Sequence, residues 1–358
     1  MVVFFLMSCG SPIAPVLPTA SPIPPTFTST LTETIIPTLT FTPTETFTPT
    51  QVPTPTPIPR QLKYYLTVGV RNVADFLTIH SLGINTIVLD LDASNPSTWD
   101  KYLSAAQNND LNIVIFPSDS PHPRRVCDLP YTDSANGNID RVKRLLDVAT
   151  KYPNFIGIFN AHMPLWSLDK SSSACPMTFN EMAGLKDKLK AYALSKGRDI
   201  KVWNYIDSLY DGTMFPYDNT MLPNEEISKI MDVAVVWKYC AGNSEGLCIP
   251  FGEGVHNVDN DNSALSLILH DRNRINSNGL DGKVELVFIN QTFTAGAGYG
   301  NMFSPMDLNT YSCDFLKTNA LDGFGYYTWD ENWPKTQLKD YPDLQSEVLN
   351  IWNNCVSK

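Results

Sequence analysis

From Lys63 to the C-terminus, short runs of apolar, β-branched and aromatic residues alternate with longer stretches whose apolar positions recur at helical spacing. The runs predict eight strands: Tyr64–Val70, Asn85–Asp92, Asn112–Pro117, Phe155–Asn160, Lys201–Asp207, Val233–Tyr239, Val284–Asn290 and Gly323–Trp329. Between them the pattern predicts helices over Trp99–Asn108, Asp140–Lys151, Thr178–Ser195, Ser263–Ser277, Leu308–Thr318 and Leu344–Asn353, several ending near Gly or Asn. The stretches after the first and fifth strands carry no comparably clear helical pattern. Apolar strands joined by crossover helices belong to parallel sheets covered on both faces. An open doubly wound sheet would need a glycine-rich phosphate turn after its first strand, and Val68-Gly69-Val70-Arg71 supplies none. The pattern therefore predicts an α/β chain closed into a (β/α)8 TIM barrel.

Before Gln61 the alternation stops. Between Ser11 and Pro59 the chain holds 13 of its 27 prolines, many threonines and the repeats Phe41-Thr-Pro-Thr44 and Phe47-Thr-Pro-Thr50. Such a composition builds no packed core, so residues 10–60 are expected to form a disordered Pro/Thr-rich stalk that reaches up to roughly 150 Å at ~3.1 Å per residue of polyproline II. Thr beside Pro also suits O-glycosylation. The remaining 298 residues, 61–358, suffice for one barrel domain. At the start, Met1-Val-Val-Phe-Phe-Leu-Met-Ser-Cys9 is an apolar run too short to span a bilayer as a helix. Leu6-Met7-Ser8-Cys9 resembles a bacterial lipobox, which implies lipidation of Cys9 and an extracellular domain tethered to the membrane by that lipid alone. The resemblance departs from the pattern in having no Lys or Arg before the run and a methionine at position 7.

Charge narrows the partners. Of 37 acidic and 26 basic side chains only Glu33, Glu45 and Arg60 precede Gln61, which leaves the domain a net charge of −10 with no basic cluster. That field repels phosphate backbones, so nucleic-acid binding is not expected. Setting Cys9 aside, six cysteines remain, an even number suited to disulfides in an oxidising compartment. The barrel order makes one set of pairs simple: Cys127 with Cys175 across neighbouring loops, Cys240 with Cys248 within one loop, and Cys313 with Cys355 between the last two helices. No cysteine or histidine spacing matches a metal site, and no cofactor or partner subunit is implied.

In this fold, chemistry sits at the carboxyl ends of the strands. Strand two ends in Asp90-Leu-Asp92, with both aspartates on one face by strand alternation; strand five ends in Asp207, and strand eight runs into Trp329-Asp330-Glu331. Any one of these alone reads best as a helix cap or a solvated loop carboxylate. Aromatic residues gather at the same ends: Trp166, Trp203, Trp237, Tyr239, Trp329 and Trp333. Flat rings stack on sugar faces while carboxylates and amides bond the hydroxyls, so the mouth has the composition of a carbohydrate cleft. Trp203 is assigned to the core and Trp329 to the cleft.

With these residues in view, the chain resembles the TIM-barrel glycoside hydrolases. Leu82-Gly-Ile-Asn-Thr-Ile-Val-Leu-Asp90 resembles their second strand, Trp99 through Phe116 the following helix and third strand, and Gly157-Ile-Phe-Asn160-Ala-His162-Met163-Pro164 the fourth. Phe288-Ile-Asn290-Gln291-Thr-Phe293 resembles the seventh strand and Gly325-Tyr-Tyr-Thr-Trp329-Asp330-Glu331 the eighth. The resemblance implies a general-acid glutamate after strand four and a nucleophile at strand seven. This chain instead carries Met163 and Asn290-Gln291 there, and neither residue type transfers a proton or attacks an anomeric carbon. Hydrolysis needs two carboxyls, ~5 Å apart for retention or ~6.5–9.5 Å for inversion. Glu331 with Asp90 or Asp92 is the best substitute pair and Asp207 the third candidate, while Trp329, Asp330, Asn160, His162, Tyr239, Gln291 and Trp166 are expected to bind substrate. Two readings stay open: an extracellular glycosidase with displaced carboxylates, or a carbohydrate-binding or scaffolding lipoprotein without turnover.

Overall fold

A computed structural model describes residues 61–92, 95–118, 138–161, 179–206, 224–237, 264–292, 304–330 and 337–356. Eight strands, β1 (Tyr64–Val70), β2 (Thr86–Asp92), β3 (Asn112–Ser118), β4 (Phe155–Ala161), β5 (Lys201–Ile206), β6 (Val233–Trp237), β7 (Glu285–Gln291) and β8 (Gly323–Tyr327), alternate with helices. These are α1 (Phe76–Ser81), α2 (Trp99–Asn108), α3 (Asn138–Ala149), α4 (Phe179–Ser195), α5 (Asn224–Ile230), α6 (Ala264–Ser277), α7 (Pro305–Lys317) and α8 (Pro342–Ile351). Each strand pairs in parallel with the next and β8 pairs with β1, so the sheet closes in chain order as the sequence pattern predicts. Helices α1 and α5 are the two that the pattern left unclear. They have only 6 and 7 residues, too few for a helical period to stand out from their flanks.

Two apolar layers form, one on each side of the sheet. Strand residues of one parity, such as Ile87, Leu89, Ile113, Val202 and Phe288, pack with the helices in the outer layer. Those of the other parity, including Leu66, Val88, Val114, Phe159, Trp203, Val235 and Ile289, fill the barrel. Helices enter the outer layer along one stripe: α2 buries Trp99, Leu103 and Ala106, and α8 buries Leu344, Val348 and Ile351, each set at turn-to-turn spacing. Glycines make room inside the barrel. A Cβ on Gly157 would lie 2.4 Å from Trp203 Nε1, and one on Gly325 would lie 2.4 Å from Leu66 Cδ1. At the end of α1, Gly83 adopts φ +82°, open to glycine at no steric cost, and Trp352 packs where its Cβ would stand.

The amino-terminal end of the barrel is closed by charge. Glu285, the first residue of β7, accepts from Tyr64 Oη at 2.7 Å and from Lys201 Nζ at 2.5 Å, and pairs with Lys63. Burial pushes its carboxyl upward, but the bonds from Lys201, Lys63 and Tyr64 outweigh that and hold it below the usual range. Asp232 is treated alike: burial raises it, while Lys186 at 2.7 Å, the Val202 amide at 2.9 Å and Lys190 at 3.0 Å bring it down overall. Asp322 accepts from Arg272 Nη2 at 2.5 Å and from the Leu286 amide at 2.9 Å. These groups tie helices and strands together at the end of the barrel opposite the one where such folds do their chemistry.

Cys313 on α7 and Cys355, in a π-helical turn at Trp352–Val356 after α8, form a disulfide, as the cysteine pattern predicts. The other two expected pairs, Cys127 with Cys175 and Cys240 with Cys248, lie outside the described residues, as does Cys9. No described helix is long and apolar enough to cross a membrane.

Candidate functional site

Strand alternation decides which side chains reach the mouth. On β2, Val88 lies inside the barrel while Ile87, Leu89 and Leu91 join the outer layer, so Asp90 falls on the interior face at the carboxyl end. Its neighbour across the β2–β3 ladder is Phe116, in register with it. Arg71, the residue following β1, brings Nη2 to 3.7 Å from Asp90 Oδ2. The backbone of Arg71 is held by the Tyr102 hydroxyl, which donates to its carbonyl at 2.5 Å.

Below this cluster runs a column of rings. Tyr64 meets Trp203 edge-on with centroids 4.9 Å apart, Trp203 lies 5.9 Å from Phe159, and Phe159 stacks on Tyr205 at 4.4 Å. Phe116 tops the column, 5.6 Å from Phe159 and 6.4 Å from Tyr205. Phe159, Trp203 and Tyr205 are buried, whereas Phe116 is half-buried. The described mouth thus offers one apolar ring, one carboxylate with side chain 21% exposed and one guanidinium 29% exposed. A ring to stack on, an acceptor and a set of planar donors are the elements with which proteins hold sugars.

The segment after β8 is fastened to β1. The amides of Trp329 and Asp330 donate to Val68 and Gly69 carbonyls, both at 2.9 Å, and Thr328 Oγ1 reaches Val68 O at 3.2 Å. Asp330 pairs with Lys339, and the Leu338 amide returns to Thr328 O at 3.1 Å. Trp329 corrects an expectation. Its ring is 2% exposed, belongs to the outer layer with Phe76 and Ile79, and donates Nε1–H to Asp75 Oδ2 at 2.9 Å. It is therefore an anchor in the outer layer and not a sugar platform in the cleft; its area is buried there and its N–H satisfied. Trp203 lies in the core as expected.

Asp92, Asn160 and Gln291 are placed by their backbones in β2, β4 and β7. Glu331, Asp207, His162, Trp166 and Tyr239 lie outside the described residues. Asn290 is buried, and its parity is that of Phe288 in the outer layer and not of Ile289 inside the barrel. The glutamate of β7, Glu285, sits at the opposite end of the barrel among lysines. Sequence reasoning missed Arg71 and Phe116 as site residues. The signal was present, since Arg71 follows β1 and Phe116 lies near the carboxyl end of β3, but neither residue type is catalytic. Among the described residues no group of His, Cys, Asp and Glu is arranged to hold a metal ion.

No family model and no curated protein matches the chain. Solved structures do. A GH5_18 structure from Bifidobacterium longum subsp. infantis aligns with TM-score 0.57 at 8% identity, over 83% of this chain and 80% of that one. A family 39 glycoside hydrolase from Bacteroides cellulosilyticus WH2 aligns with TM-score 0.54 at 10% identity, over 83% of this chain and 64% of that one. An endo-1,4-beta-mannanase from Eisenia fetida aligns with TM-score 0.52 at 13% identity, over 82% of this chain and 92% of that one. Identities this low speak for backbone and not for chemistry. The protein is a closed (β/α)8 barrel of the kind on which these three structures are built.

Proposed function

We propose that the barrel handles carbohydrate at its carboxyl-end mouth and hydrolyses glycosidic bonds there. The observation that carries the reading is Asp90, an interior carboxylate at the mouth, beside the half-buried ring of Phe116. Two of the structures that the barrel is similar to, a glycoside hydrolase and an endo-1,4-beta-mannanase, support it. Asp90 is one carboxylate of the pair, and Glu331, which follows the pinned Asp330, is the other. In this reading Asp90 and Glu331 divide the roles of general acid and of base or nucleophile, and Phe116 stacks on the sugar. Incubating the protein with a polysaccharide panel, while scoring both release of reducing ends and retention on the polymer, tests it. Glu331→Gln and Asp90→Asn should each lower turnover by more than about 100-fold, in the range of lost acid–base catalysis, with retention preserved. Undiminished turnover in both variants would sink the assignment.

A second reading is favoured by β7. Its Glu285 is committed to lysines at the far end of the barrel, and Asn290 at its near end is buried on the outer-layer parity. A barrel lacking the familiar strand-seven carboxylate binds sugar without cleaving it. Retention on the panel with no reducing-end release in the wild type selects this reading. Both readings place the domain outside the cell, held by lipid on Cys9.

A further inference from the structure

Among the described residues, arginines that are buried or half-buried donate to named acceptors. Arg198 bonds Pro153 O at 2.5 Å, Arg272 bonds Ala320 O and Asp322, and Arg274 bonds Asn224 Oδ1 at 2.6 Å. Arg71 differs. Its side chain is 29% exposed at the mouth, and its one polar contact among the described residues is the ion pair with Asp90 at 3.7 Å, too long for a hydrogen bond. The nearby Lys339 is by contrast closed onto Asp330. Among the described residues the five N–H donors of Arg71 thus meet no hydrogen-bond acceptor, and its backbone is held in place: the Tyr102 hydroxyl donates to its carbonyl and the preceding Val70 is in register with Leu89.

We propose that Arg71 reads a carboxylate on the bound sugar, so that the ligand of the mouth carries uronic acid residues. The proposal rests on the carbohydrate reading above and adds its substrate class. A planar guanidinium matches a carboxylate with two parallel N–H···O bonds, which a neutral hexose cannot return. Phe116, in register with Asp90, offers the apolar surface for the same sugar ring. Asp90 balances the cation before ligand arrives without consuming its donors. The domain's net charge of −10 opposes polyanions at long range. Salt screens that field over about 8 Å, whereas the Arg71 contact is direct.

The test is titration of the full chain, at one salt concentration, with galacturonate and glucuronate oligosaccharides, neutral oligosaccharides of equal length and a sulfated set. The expected result is at least about 10-fold tighter binding of a uronate than of its neutral counterpart, the range of a charge-assisted bond. Arg71→Gln should erase that preference, read as the ratio of uronate to neutral affinity, and Arg71→Lys should keep part of it through its point charge. Thermal melting of both variants checks that the barrel is intact. Equal binding of neutral and acidic sugars by the wild type, or a preference that survives Arg71→Gln, overturns the assignment alone. A preference for the sulfated set overturns the carboxylate. Binding of no oligosaccharide overturns the carbohydrate reading and this inference with it.

Discussion

Gly325 shows how far a single residue is constrained by what surrounds it. Its missing side chain is the space occupied by Leu66, so Gly325→Ala should cost roughly 1–3 kcal/mol in overpacking, measured by denaturant unfolding. Trp329 is the opposite case, a large residue with a fixed partner. Trp329→Phe keeps most of the buried area but leaves Asp75 without its donor, and should lower stability by about 1–2 kcal/mol. If Trp329 were a sugar platform, the same change would weaken carbohydrate binding at unchanged stability; a paired measurement of melting and binding decides between them. Neither fate is visible in the residues themselves. A glycine in a strand and a tryptophan near a barrel mouth each have several readings, and the choice depends on atoms more than two hundred residues away along the chain.

At the scale of elements, charged groups at strand starts and a disulfide join what the apolar layers bring together. Glu285 and Asp232 are held below the usual carboxylate range, so the folded protein binds their protons more weakly than the unfolded chain does. Their contribution is complete above the unfolded carboxylate value near ~4 and is lost as pH falls through the lower folded values. Acid unfolding should therefore begin below about pH 4, and Glu285→Gln should flatten that part of the stability curve while lowering stability at neutral pH. A curve whose acid limb is the same in wild type and variant would remove Glu285 from this role. The Cys313–Cys355 bridge spans 42 residues, for which loop entropy predicts about 4 kcal/mol lost on reduction, read as a drop in the denaturant midpoint. That pair was legible because the order of the last two helices brings the cysteines together. The lysine–glutamate closure was not, since nothing in the strand patterns shows that Lys63, just before β1, meets Lys201 and Glu285, the first residues of β5 and β7, at one end of a closed ring.

For the whole molecule, the proposal of a tethered extracellular domain leads to a fractionation experiment. Cys9→Ser should move the protein from the membrane to the soluble extracellular fraction with its carbohydrate binding unaltered, and persistence at the membrane would remove the lipid from the account. Eight strands, their order and most helix positions followed from the sequence alone, because the burial of a parallel strand on both faces and the stripe of an amphipathic helix are local patterns repeated along the chain. That Asp90 and Asp92 share one face was likewise legible, since alternation along one strand needs no partner; that this face lies inside the barrel was not, because a parallel strand is apolar on both faces. What only the tertiary structure decided is which ends meet: that Arg71 faces Asp90, that Phe116 crowns the ring column, and that Trp329 turns outward to Asp75. Each of these depends on register between neighbouring strands and on closure of β8 against β1, which are set by the packing of the whole barrel.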